Sequence, residues 1–132
     1  MSQENVELVR RSFDAWNVGD LAGWISMHHP EVEVVPPEGW PEAERPRSRE
    51  EWLAQARRIL DSWAAQRVEA KQIVDTAERV VVLFEWVTRG KGSQIDLMTE
   101  MGLIATVRDG LITRAAYYND PADALEAVGL SE

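Results

Sequence analysis

Apolar residues near the N-terminus recur at spacings of three and four: Val6, Val9, Phe13 and Trp16 share one face, with Arg10, Arg11 and Asp14 opposite. That spacing predicts an amphipathic helix over about residues 3–17, ended by Gly19. Asp20 suits the N-cap of a short second helix carrying Leu21, Trp24 and Ile25, with Pro30 as its stop. Val32 to Val35 read as a short β-branched strand. The segment from Pro36 to Pro46 holds four prolines besides Gly39 and Trp40, which predicts a surface loop. Ser48 and Glu51 form a capping box ahead of a third helix whose stripe is Trp52, Ala56, Ile59, Leu60 and Trp63.

Past Gln66 the period shifts from helix to strand. Strands are expected over 68–74 and 80–88, then, after a hairpin at Gly90 and Gly92, over 94–107. Asp109-Gly110 is a strong hairpin signal leading into a last strand over 111–118. Asp120-Pro121 pairs an N-cap with proline at the first helical position, and Gly129 closes the tail helix. Three helices with one early strand, then an antiparallel meander, then a short helix describe an α+β domain.

Composition narrows the function. The 132 residues suit one domain spanning the whole chain. With no cysteine, thiolate catalysis and zinc–thiolate sites are excluded. The 14 Lys and Arg against 23 Asp and Glu leave a net charge of −9, which disfavours nucleic-acid and membrane-surface partners. The chain opens straight into the first helix, without a basic and apolar leader, so a cytoplasmic location is expected. It carries no P-loop, GxGxxG or GxSxG, and Gly90-Lys91-Gly92 reads as a turn; no cofactor is expected.

Asn5-Val6-Glu7-Leu8-Val9, Ala15-Trp16-Asn17-x-Gly19-Asp20-Leu21 and Pro30-Glu31-Val32-Glu33 resemble the opening of SnoaL-like domains. Arg108-Asp109-Gly110-x-Ile112 and Asp120-x-x-x-Ala124-Leu125-Glu126-Ala127-x-Gly129-Leu130 resemble their ending. These domains belong to the superfamily of nuclear transport factor 2 and the ketosteroid isomerases. The resemblance implies a cone-shaped, curved antiparallel sheet with a mixed edge, barrel-like, whose concave face is closed by three N-terminal helices around a pocket. It also implies a homodimer through the outer sheet face. The tyrosine, base and second acid of ketosteroid isomerase fall at Ser12, Val35 and near Leu103. The histidine and acid of SnoaL-type cyclases fall near Leu103 and Tyr117. None of these residues is a carboxylate or an imidazole, and a phenol with a pKa of about 10 is a poor base at neutrality.

If Val35 points into the cone, strand alternation sends Glu33 the same way, where burial would tune it as a base. The alternative is a strand-edge glutamate in water or paired with an arginine. Tyr117, opposite in parity to Arg114, is either a hydrogen-bond donor in the pocket or a packed core tyrosine. These two are the candidate catalytic residues. Phe13, Trp16, Val35, Trp40, Trp52, Met101 and Leu103 are the candidate lining, with Trp40 either a lid or a docked plug. His28-His29 near Glu31 and Glu33 does not read as a metal site, because adjacent helical histidines diverge by about 100°. One of them more simply sits as a cation at a helix C-terminus. The expected function is binding of a small apolar organic molecule; if the domain is an enzyme, its chemistry is of isomerase, lyase or cyclase type on an unknown substrate. The alternative is a non-catalytic binding or dimeric assembly module whose cone is filled by its own side chains.

Overall fold

The structure, a computed structural model, describes residues 2–40 and 45–130. Residues 41–44, inside the expected proline-rich loop, lie outside the described residues. The order is α1 (Ser2–Asn17), α2 (Leu21–Ser26), β1 (His28–Val35), α3 (Arg49–Asp61), β2 (Ala65–Thr76), β3 (Arg79–Arg89), β4 (Asp96–Arg108), β5 (Leu111–Tyr118) and α4 (Pro121–Ala127). The strands form one curved sheet in the order β1-β5-β4-β3-β2, antiparallel except that β1 runs parallel to β5 at one edge. This is the α+β architecture read from the sequence.

Local chemistry sets most boundaries. Ser48 Oγ accepts from Glu51 N at 3.1 Å, while the Glu51 carboxylate reaches back to Arg47 N at 2.9 Å, so α3 starts where the capping box placed it. Asp109 and Gly110 both take positive φ, 52° and 77°, the left-handed pair that a two-residue hairpin requires. At the other sheet edge, Asn17 donates to Val68 O and accepts from Val68 N, both at 2.8 Å. The last residue of α1 thereby satisfies one residue of the otherwise unpaired β2 edge and fixes the helix against it.

Two expectations are corrected. The second helix ends at Ser26 rather than running on to Pro30, and the strand already begins at His28. Ile112 N donates to Met27 O at 2.8 Å and His28 pairs with Ile112, so β5 recruits the segment that proline was expected to close off. Pro30 is tolerated because β1 is an edge strand whose pairing is interrupted between His28 and Glu33. Trp63 lies past the end of α3 and packs edge-on against Trp86 at 5.8 Å.

The sheet separates two apolar layers. On the helix-covered face, Val9, Trp24, Val32, Val34, Ala56 and Val82 belong to the main core. On the opposite face, α4 seats Ala124 against Val81 and Ile104, with Leu83, Tyr118 and Val128 around them. A side chain at Gly102 would place its Cβ 2.7 Å from Ala124 Cβ, so glycine is what lets α4 approach. Gly102→Ala is therefore expected to cost about 1–3 kcal/mol by overpacking. Chemical denaturation measures this, and the Ala124→Gly background should recover part of the loss.

Candidate functional site

The helices do not fill the concave face. A cavity of about 110 Å³ remains between α1, α2, α3 and the sheet. For comparison, an apolar cavity of about 150 Å³ accepts benzene. The buried end is set by small or branched residues, Val34, Ala105, Ile112 and Ala115 among them. Around it the aromatic rings form a belt. Trp16 lies 5.0 Å from Trp24, Trp24 5.3 Å from Trp52, and Trp52 6.1 Å from Tyr117. Tyr117 lies 6.4 Å from Phe84, and Phe84 5.4 Å edge-on from Phe13, which returns the belt to α1. Each wall thus comes from a different element, and each ring is held by its neighbours.

The partly exposed end is built by Trp40 and Trp86, 5.6 Å apart. Trp40 lines the cavity beside Trp86, which places it at the rim. Gln66 Oε1 accepts from both Trp16 Nε1 at 2.7 Å and Trp86 Nε1 at 3.0 Å. One amide on β2 therefore orients an indole of the belt and an indole of the rim.

Five polar side chains on the wall matter chemically. Ser12 Oγ is spent on Val9 O at 2.6 Å. His28, only 2% exposed, has Nδ1 3.0 Å from Trp24 O. A carbonyl can only accept, so Nδ1 carries the proton and Nε2 the lone pair. Burial, reinforced by the Arg49 guanidinium that donates to His28 O, lowers the pKa to about 4. Trp52 Nε1 and Gln55 Oε1 are buried and have no hydrogen-bond partner among the described residues. Tyr117, also on the wall, has its hydroxyl pushed well above the usual phenol range by burial alone. It is a donor, not a base.

His28 was read as one of two histidines suited to a cation at a helix end; the fold instead buries it neutral in the wall. The sign of its pH effect follows. The unfolded chain, with the ordinary value of 6.5, binds the proton that the folded chain refuses until about pH 4. Its contribution to stability is complete above the unfolded value and lost as pH falls from 6.5 towards 4. Between pH 7 and 5 the loss should be about 2 kcal/mol. Urea melts at the two pH values measure it, and in His28→Gln this part of the slope should vanish.

Of the candidate lining residues, Phe13, Trp16, Trp40, Trp52, Met101 and Leu103 border the cavity, as does the catalytic candidate Tyr117. Glu33 and Val35 do not. They share a face, as alternation required, but Val32 and Val34 take the inward positions. The Glu33 side chain is 43% exposed and pairs with Arg45 at 3.0 Å and Arg114 at 3.4 Å. The register Val34↔Ala115 on the parallel partner β5 decides this parity. The sequence reading missed His28, Trp24 and Gln55 as wall residues. Gln55 was legible, being the polar position inside the Trp52–Ala56–Ile59 stripe of α3.

This geometry agrees with what the chain is similar to. The family model described as SnoaL-like domain matches residues 9–115. The chain belongs to this family. No curated protein matches it. Among solved structures, a nuclear transport factor 2-like protein from Burkholderia pseudomallei K96243 superposes with a TM-score of 0.80 at 19% identity, covering 96% of this chain and 98% of the other. TerC, co-crystallised with polyporic acid, superposes with a TM-score of 0.78 at 22% identity, over 93% and 96% of the two chains. A protein with a ketosteroid isomerase-like fold from Catenulispora acidiphila DSM 44928, in complex with trimethylamine, gives a TM-score of 0.76 at 16% identity, over 94% and 93% of the two chains. At these identities the likeness concerns the fold. Small-molecule binding and cyclase-type activity are known in the superfamily of SnoaL-like domains. In this SnoaL-like domain, Ser12 and Leu103 border the cavity without supplying an acid or base, and Val35 is displaced from it.

Proposed function

We propose that this SnoaL-like domain binds a small, neutral, largely apolar organic molecule in the cavity enclosed by its aromatic belt. The observation that carries the reading is the lining itself. About 110 Å³ is walled by aromatic and aliphatic groups, and among the described residues no Asp, Glu, Lys or Arg borders it. An anion brought into such a site would lose its hydration without gaining a partner, whereas a neutral ring gains contacts on every side. The same space speaks against a cone filled by its own side chains.

If the site turns substrate over, Glu33 is not its base. Glu33→Gln should leave ligand affinity unchanged and cost at most about 1 kcal/mol of stability, the range of exposed ion pairs. The proton acceptor available on the wall is His28 Nε2, held in one tautomer by Trp24 O. An imidazole with its pKa lowered to about 4 is a weak base, suited to an already acidic proton in isomerase- or lyase-type chemistry.

A thermal-shift panel of single-ring neutral compounds beside their charged analogues tests the binding reading. A ligand at 100 times its Kd should stabilise the fold by about 2.7 kcal/mol. A panel in which no neutral compound shifts the transition at millimolar concentration would sink it.

A further inference from the structure

We infer that the ligand presents a neutral hydroxyl, phenolic or alcoholic, to α3, where Trp52 Nε1 donates to its oxygen and Gln55 Oε1 accepts its proton. This rests on the binding reading above and adds to it the functional group that the pocket selects.

Trp52 and Gln55 stand three residues apart on α3 and therefore share a face, and both border the cavity. They are 6% and 3% exposed. The indole N–H and the amide oxygen are the two buried side-chain polar atoms with no partner among the described residues. Three further polar atoms of wall residues are engaged within the protein, Ser12 Oγ on Val9 O, Trp16 Nε1 on Gln66 and His28 Nδ1 on Trp24 O. Buried polar groups are almost always paired, so an orphan on a cavity wall is a place for a ligand group or a water to supply the partner.

The two orphans are of opposite kind, one donor and one acceptor, on one face of α3. A hydroxyl answers both with a single oxygen. An ether or a methyl group cannot, since an ether lacks the proton and a methyl lacks both functions. A carboxylate would satisfy Trp52 but face the Gln55 oxygen with negative charge and no compensating cation on the wall. The cavity is small enough that the rest of the molecule is about one ring before it reaches the rim.

The test is an NMR titration of the protein with four probes: phenol, anisole, toluene and benzoate. Three versions are compared, wild type, Gln55→Leu and Trp52→Phe. Because toluene is the less hydrated probe, the informative quantity is each probe's Kd relative to toluene on the same protein. Gln55→Leu should weaken phenol about 10-fold relative to toluene and leave anisole unmoved. Trp52→Phe should weaken phenol and anisole together, and benzoate should bind more weakly than phenol throughout. Should Trp52→Phe fail to fold, the Gln55→Leu contrast between phenol and anisole decides alone. A phenol-to-toluene ratio unchanged by Gln55→Leu, or benzoate binding as well as phenol, would overturn the hydroxyl inference while toluene binding keeps the pocket. If no probe binds, the inference falls together with the binding reading.

Discussion

Replacing Trp24 with alanine is expected to remove about 3–5 kcal/mol of folding stability, the range for deleting a buried aromatic side chain. Domains of this kind are stable by only about 5–15 kcal/mol, so the variant should stand near its unfolding threshold. The size of the effect follows from position. Trp24 is 5% exposed, and its ring meets Trp16, His28 and Trp52 within 5.3 Å. It is thus where α1, α2, α3 and the start of β1 converge, and its backbone oxygen also fixes the His28 tautomer. The neighbours are large rings packed against one another, so the void cannot close by a rotamer change. Urea denaturation monitored by far-UV circular dichroism measures the loss. A cost below about 1 kcal/mol would mean that the helices are not held through this indole.

The second large effect is on binding rather than on stability. Ala115→Leu should abolish ligand binding at concentrations that saturate the wild type, while the protein remains folded. Ala115 lies on the wall at the buried end, paired with Val34 of β1 and Ala105 of β4. An isopropyl group added there projects into a cavity of about 110 Å³ and takes the place of the ligand's ring. Overpacking in a filled core costs about 1–3 kcal/mol, but here the added carbons enter open space, so stability should change by less than that. Binding retained in Ala115→Leu would locate the ligand elsewhere. Strong destabilisation without loss of binding would mean that the wall at Ala115 is already closed.

Much of this was legible in the chain, for identifiable reasons. Apolar residues three and four apart gave α1 and α3 their faces. Asp109-Gly110 fixed the β4–β5 hairpin, because few residue pairs accept two positive φ values in succession. Tyr117 could be placed inward because Arg114, at the opposite parity, would not be buried without a partner. What the sequence could not carry was non-local. Val32, Val34 and Val35 offer an apolar residue at either parity, and only pairing with β5 chooses Val34 over Val35. That single choice turned Glu33 from a candidate base into a surface partner of Arg45 and Arg114. His28 was hidden in the same way. Pro30 is a strong helix stop, yet β5 captures the chain two residues before it and carries the imidazole into the wall.

Entry of a neutral small molecule into the space between the aromatic belt and the sheet is read by titrating the protein with toluene while following the methyl resonances of Met101, Leu103, Ala105 and Ala115. These methyl groups border the cavity from β4 and β5. Saturable shifts on them, absent from Val81 and Ile104 on the opposite face and lost in Ala115→Leu, are the predicted result. Methyl resonances that stay still up to the solubility limit of toluene, or that move equally on both faces of the sheet, would contradict it.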